Sequence, residues 1–278
     1  MLTDSEHKRI SFFKASEATD IIRTFAENYR SRMFKEEIKK YLAENQHARI
    51  QLKSVLFDMD GVLFNSMPYH ADAWHKVMAS RGLELSHTEA YMHEGRTGAG
   101  TINLVYQRQL GRDATEEEIQ DIYKDKTIEF NKHPLAKRMD GAAEIIRKVK
   151  EDKLVPTVVT GSGQASLLNR LEENFPDTFQ EKLMVTAFDV QYGKPHPEPY
   201  LMALKKGGLK PHEAIVIENA PLGVEAGVAA GIFTIAVNTG PLDASILLNS
   251  GAHLLFPSME SLCDAWEDLF SALQATQL

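Results

Sequence analysis

Cysteine is nearly missing from this chain: Cys263 stands alone among 278 residues. That excludes a disulfide framework and a cysteine-rich zinc site. A lone thiol of this kind reads as a small buried hydrophobe. No apolar run approaches the roughly 18–20 residues a membrane helix needs. The opening stretch MLTDSEHKRISFFK has no apolar segment of signal-peptide type, so the expected location is the cytoplasm. Positive charge is not in excess either. Lys and Arg number 31 against 39 Asp and Glu, a net charge of −8, where a nucleic-acid binder usually shows a basic face. Nucleic acid and membrane are therefore not expected partners. The chain is expected to act as a monomer or weak homodimer.

What is present is a soluble composition, 43% hydrophobic and 25% charged, in a chain long enough to bury a core without covalent staples. Residues 1–50 contain no Gly or Pro and no strand pattern. Ile21, Ile22, Phe25 and Tyr29 fall at helical spacing, as do Phe34, Ile38 and Tyr41. This segment reads as a helical arm or partly disordered leader without chemistry of its own, so truncation before Gln51 is expected to leave a folded enzyme.

From Ser54 the pattern changes. Short apolar runs at Ser54–Phe57, Val155–Val159, Met184–Thr186, Ile215–Ile217, Thr234–Val237 and His253–Phe256 read as buried strands. Helical stretches lie between them at Ala142–Lys150, Leu167–Phe175, Glu198–Lys206 and Leu222–Ala230. Alternation of this kind implies an α/β fold, a Rossmann-like parallel sheet with helices on both faces. Ligands then bind beyond the carboxyl ends of the strands. Residues 67–137 interrupt the alternation with helices only: Ala71–Arg81, Thr88–Met92, Thr101–Leu110 and Glu116–Asn131. The sequence thus predicts a core of 51–66 and 138–278, with a small helical cap, 67–137, inserted after the first strand.

Four polar signals stand at or near strand ends. Asp58 and Asp60, followed by Gly61, are close enough to need a cation or a shared proton, and paired carboxylate oxygens suit Mg²⁺. Thr160-Gly161-Ser162-Gly163 closes the strand at Val159 with a hydroxyl and backbone N–H groups suited to phosphate. Gly193-Lys194-Pro195 places a compact positive charge in a loop. Glu218-Asn219 ends Ile215–Ile217 with oxygens suited to a hard cation. Gly223, Gly227 and Gly231 follow and read as close helix–sheet packing.

Each signal alone is weak; in this order they resemble the haloacid dehalogenase-like hydrolase superfamily. The resemblance rests on Asp58-Met59-Asp60-Gly61-Val62-Leu63, Thr160, Lys194 and Glu218-Asn219. Pro68-Tyr69-His70, Trp74 and the stretch from Glu218 to Gly231 resemble its β-phosphoglucomutase-like branch. The resemblance covers about residues 52–270. It implies a Mg²⁺-dependent phosphohydrolase in which Asp58 attacks phosphorus and forms an aspartyl-phosphate. Asp60 would serve as acid and base, which requires a raised pKa. Thr160 and Lys194 would hold the phosphoryl group. The metal ligands would be Asp58, the backbone carbonyl of Asp60 and Asn219.

The chain departs from the mutase pattern at two places. Family members commonly carry an acid where Asn219 stands. In the cap, mutases carry a lysine before a glycine and an arginine three residues after it, where this chain has Glu94, Gly95 and Gly98. Glu94 or Glu218 would then restore the missing charge at the metal, and a cap carboxylate there favours a small, highly charged substrate. Bacterial inorganic pyrophosphatases resembling this branch share the Glu-Gly-Arg stretch. The leading expectation is therefore pyrophosphate, with Arg96 and Lys126 holding the leaving phosphate and His70, Gly161, Ser162 and Gln164 near the substrate. The alternatives are β-phosphoglucomutase, a sugar-phosphate phosphatase and, in a different class, an inactive phosphate sensor. His75, His87 and His196 lack metal-site spacing.

Overall fold

The structure is a computed structural model that describes residues 29–163 and 167–278. The expected substrate residue Gln164, and Ile21, Ile22 and Phe25, lie outside them. Five parallel strands form one sheet in the order β2-β1-β3-β4-β5: β1 (Ser54–Phe57), β2 (Val155–Val158), β3 (Ala214–Glu218), β4 (Phe233–Val237) and β5 (Leu254–Phe256). Every residue of β1, β3 and β4 is buried, as strands covered by helices on both faces require. This is why their sequences are continuous apolar runs rather than alternating ones. The expected strand at Met184–Thr186 reduces to one parallel bridge between Val185 and Val159. The chain turns away because the Thr186 N–H and hydroxyl both donate to Asp189 Oδ2, at 2.8 and 2.9 Å.

The strand order places β2 and β3 on opposite sides of β1. Connections therefore leave the carboxyl end of β1 in both directions and open a crevice there. Asp58 follows β1 and Glu218 ends β3, so both carboxylates meet at that crevice.

The helices, in chain order, begin with α1 (residues 29–44). The cap follows: α2 (Met67–Ala79), α3 (His87–Met92), α4 (Gly98–Leu110) and α5 (Glu116–Asn131). Val77, Met78, Leu85, Ile102, Val105 and Ile122 give it an apolar centre separate from the sheet. Reciprocal side-chain caps start α3 at Ser86 and Glu89, and α5 at Thr115 and Glu118, satisfying N–H groups the helices leave open. The cap joins the core through two adjacent strands of chain, with Asn65 N–H on Lys137 O and Met139 N–H on Leu63 O, both 2.9 Å. The core helices are α6 (Ala142–Glu151), α7 (Leu167–Asn174), α8 (Glu198–Gly207), α9 (Pro221–Ala229), α10 (Ala244–Asn249) and α11 (Met259–Ala275).

Helix α1 packs into the main core. Phe34, Ile38, Tyr41 and Leu42 are all fully buried there, the spacing that puts them on one helical face. The Tyr41 hydroxyl donates to Gly231 O at 2.9 Å, and its ring meets Phe233 and His253 edge-on. Beyond the helix, Leu278 N–H donates to Ala48 O and Gln51 N–H to His212 O. Residues 29–50 are thus core structure rather than an appended arm, which reverses the expectation for truncation. Burying side chains of this size contributes roughly 1.5–3 kcal/mol each, and the four together rival the about 5–15 kcal/mol stability of a whole domain. A chain beginning at Gln51 should be insoluble or lack a cooperative melting transition by circular dichroism. A soluble Gln51–Leu278 fragment with a native-like melt would contradict this packing.

Candidate active site

The site is organised around Lys194. Its ammonium group is about 1% exposed and spends all three donors inside the protein. It donates to Asp58 Oδ1 at 2.5 Å, Glu218 Oε1 at 2.6 Å and Val159 O at 3.0 Å. Burial alone would discharge a lysine; the charges of Asp58 and Glu218 outweigh it and raise the pKa above the usual lysine value. Glu218 is equally committed. Its Oε1 also accepts from the Tyr200 hydroxyl at 2.8 Å, and its Oε2 faces the N–H groups of Asn219 at 3.0 Å and Ala220 at 3.3 Å. A carboxylate engaged by four donors anchors Lys194 and has no lone pair aimed at a metal, which corrects its expected role as a direct ligand. A Cβ on Gly223 would lie 1.9 Å from Glu218 Oε1. That glycine of α9 makes room for the carboxylate and does more than pack helix on sheet.

Asp58 is 4% exposed. Burial pushes its pKa up to about 8; Lys194 opposes this, while Glu218 and Asp60 add to it. Asp60 goes the other way. Burial would raise it, but His70, the Ser66 hydroxyl and Lys126 prevail and bring it to about 2. Ser66 donates to Asp60 Oδ1, and His70 Nε2 lies 3.3 Å from the same oxygen. The Ser66 hydroxyl and the His70 ring at the cap–core junction, with the more distant charge of Lys126, thus lower the proton affinity of Asp60, where an acid role asks for it to be raised.

Glu94 of the cap reaches this core. Its Oε2 accepts from Asn219 Nδ2 at 3.0 Å. Burial, then Asp58, Glu218 and Asp60, push its pKa well above the usual carboxylate range. Glu94 Oε1 and Asn219 Oδ1 are both buried without a partner. Orphaned oxygens beside Asp58 and Asp60, in a pocket with excess negative charge, fit a hard divalent cation. Among the described residues no cluster of three His, Cys, Asp or Glu side chains forms a preassembled metal cage; Lys194 stands between two of the carboxylates, and an amide replaces a fourth.

A cavity of about 80 Å³ lies under the cap. Asp58, Asp60, Thr160, Gly161 and Ser162 line its floor, and Glu94, Arg96, Lys126 and His70 its roof. The Thr160 hydroxyl accepts from Ser162 N–H at 3.0 Å. Lys126 Nζ sits 2.7 Å from His70 Nδ1 and over the rings of Trp74 and Phe130. Burial lowers its pKa to about 8. Its first partner in this structure is thus His70. Arg96 is half-buried, with its Nε unpartnered. Ser66, Tyr200 and Tyr123 carry no signal in the sequence, and Gly223 reads there only as a packing glycine.

Comparison with known proteins follows this geometry. The sequence profile of the haloacid dehalogenase-like hydrolases matches residues 55–237, and the chain belongs to that family. It is 29% identical over 214 residues to hexitol phosphatase A of Escherichia coli, covering 77% of this chain and 94% of that one. It is 28% identical over 212 residues to the phosphorylated carbohydrates phosphatase of Thermotoga maritima, covering 76% and 97%. A solved structure from Bacteroides vulgatus, provisionally named a β-phosphoglucomutase, is 65% identical with a TM-score of 0.86 and covers 88% of this chain and 99% of that one. The family, the fold and the β-phosphoglucomutase-like branch agree with the sequence reading. The pyrophosphate specificity finds no support among these relatives, which favour the sugar-phosphate alternative.

Removing the Lys194 ammonium would leave Asp58 and Glu218 buried and unpaired. Breaking a buried ion pair costs about 3–5 kcal/mol. Lys194→Met should therefore lose that much stability in urea denaturation, whereas a loss under 1 kcal/mol would show that the buried cluster is not held together by this charge.

Proposed function

We propose that this chain hydrolyses small phosphorylated compounds through a covalent intermediate on Asp58, with a sugar or polyol phosphate as substrate. The observation that carries the reading is Asp58 itself: a carboxylate at the end of β1, fixed 2.5 Å from Lys194, facing a cavity closed by the cap. In the proposed reaction an Asp58 oxygen attacks phosphorus in line with the departing oxygen. The Thr160 hydroxyl, held by the Ser162 N–H, and the backbone N–H of Gly161 receive the phosphoryl oxygens, whose charge is spread in flight. Asp60 starts ionised, and an arriving phosphate dianion raises its proton affinity by like-charge repulsion. It takes a proton from solvent as the substrate binds and passes it to the leaving oxygen, then as carboxylate takes one from the water that cleaves the aspartyl-phosphate. Asp58, Asp60, Asn219 and Glu94 would hold Mg²⁺, which when bound supplies positive charge that keeps Asp58 ionised and draws charge from the phosphoryl oxygens.

The relatives named for hexitol and carbohydrate phosphates support this substrate class. Hydrolysis is favoured over mutase chemistry because the cap position expected to grip a second phosphate is Gly98, and Tyr123 fills the space where a side chain there would go, 2.3 Å from a Cβ at that glycine. Pyrophosphate remains as a second reading on one observation. The Glu94 carboxylate occupies the cavity roof beside Asn219, which narrows the space for a substrate and favours a small one.

A panel of pyrophosphate, sorbitol 6-phosphate, glucose 1-phosphate and an aryl phosphate, each with and without Mg²⁺, decides between these readings. Sorbitol 6-phosphate should give the highest kcat/KM; a pyrophosphate value tenfold higher would transfer the conclusion to the second reading. Asp58→Asn should abolish turnover of all four, and more than a few per cent residual activity would rule out the covalent route.

Glu94→Ala should raise the Mg²⁺ concentration for half-maximal rate about tenfold, or about 1.4 kcal/mol. Mg²⁺ affinity by titration calorimetry should fall in parallel. Unchanged metal binding would remove Glu94 from the ligand set.

A further inference from the structure

The cap meets the core along a line of glycines. A Cβ on Gly161, in the loop after β2, would sit 2.9 Å from the backbone oxygen of Gly95. One on Gly193, in the loop before Lys194, would sit 2.8 Å from Thr97 Cγ2 and 3.0 Å from Thr97 N. One on Gly240, in the loop after β4, would sit 3.1 Å from the Tyr91 ring. The cap answers with Gly95, at φ +84°, where a Cβ would lie 2.8 Å from Lys194 Cδ. Three separate core loops thus present a glycine to one short cap segment, Tyr91–Thr97. None of the three core glycines has the left-handed backbone that would by itself call for glycine. What they share is the absence of a side chain where the cap comes down.

Glu94 lies inside this segment, and its reach to Asn219 at 3.0 Å depends on how closely the backbone on either side of it approaches the core. We propose that Gly161, Gly193 and Gly240 set the depth of cap closure and thereby determine whether Glu94 enters the site, making them specificity-determining positions for the size of the leaving group. A methyl group at Gly161 or Gly193 meets cap backbone, and a larger side chain at Gly240 meets the Tyr91 ring, so the segment is held away by a few tenths of an ångström. Glu94 is then withdrawn, and the cavity roof rises over the leaving-group side. The consequence for substrate size rests on the phosphohydrolase reading; the consequence for cap closure does not.

Amide hydrogen exchange on the full chain, without substrate, tests the closure. Gly193→Ala should speed exchange of the Glu94–Thr97 amides about tenfold, with the melting temperature of the core unchanged. Gly240→Val, which touches a different core loop, should do the same. Thr97→Ser removes the methyl group that Gly193→Ala would strike while keeping the hydroxyl that caps α4. The double variant should regain part of the slow exchange, since the contact with Thr97 N at 3.0 Å remains, and Thr97→Ser should not rescue Gly240→Val. Kinetically, both single variants should raise KM for pyrophosphate at least fivefold more than KM for sorbitol 6-phosphate. Unchanged exchange in both single variants would overturn the inference, as would failure of Thr97→Ser to restore Gly193→Ala. If Gly193→Ala does not fold, the exchange result for Gly240→Val decides alone. Loss of the covalent mechanism, read from Asp58→Asn, would leave the exchange result standing, so the two failures are distinguishable.

Discussion

A lysine ammonium buried between two carboxylates is the constraint from which this site follows. Lys194 holds Asp58 Oδ1 and Glu218 Oε1 at 2.5 and 2.6 Å with almost no access to water. Such a cluster is costly to desolvate and survives only when every donor and acceptor is engaged. The rest of the core complies. Val159 offers its carbonyl, Tyr200 its hydroxyl and the start of α9 its backbone N–H groups, while Gly223 leaves the space Glu218 occupies. The result is a fixed positive point beside Asp58, prepared before any substrate arrives and therefore needing no reorganisation during reaction.

The cap contributes the opposite charge. Glu94 descends into a pocket lined by Asp58 and Asp60, and its Oε1, like Asn219 Oδ1, is buried without a partner. Burying a carboxylate among carboxylates is unfavourable unless a cation joins them. A cation bound there, as proposed, would link cap closure to metal occupancy through the same electrostatic deficit. Ser66 and His70, at the junction of cap and core, engage Asp60 in the same closed arrangement, so the state of the cap is felt at Asp60 too.

Helix α1 shows how far the core extends beyond its motifs. Its apolar face covers the sheet beside β4, and the chain that follows it runs past His212 and the C-terminal residues. No catalytic group comes from it, yet four of its side chains have no exposed surface.

Much of the architecture was legible along the chain because its determinants are local. Continuous apolar runs marked the five strands, and the bounds of α5 follow directly from Thr115, Glu118 and the apolar spacing behind them. The motif residues Asp58, Asp60, Thr160, Lys194 and Asn219 were legible too, since each stands at or near a strand end or in a short loop, and those ends share one edge of a parallel sheet. What local pattern could not decide was how groups distant in sequence would be paired. The helical spacing of Phe34, Ile38 and Tyr41 showed a face without showing what covered it. Glu218 had the chemistry of a metal ligand until Lys194, 24 residues away, and Tyr200 claimed its oxygens. Lys126 had the charge to hold phosphate, but nothing in its spacing showed that His70, 56 residues away, would be its partner. Asp60 had the chemistry of an acid, but its place in the chain did not show the partners, Ser66 and His70, that lower its proton affinity in the folded chain. The sequence by itself determined which functional groups this protein has and the sheet edge on which they gather. Their charge states and partners were decided only in the folded molecule, because burial and Coulomb interaction depend on distances through space that spacing along the chain does not carry.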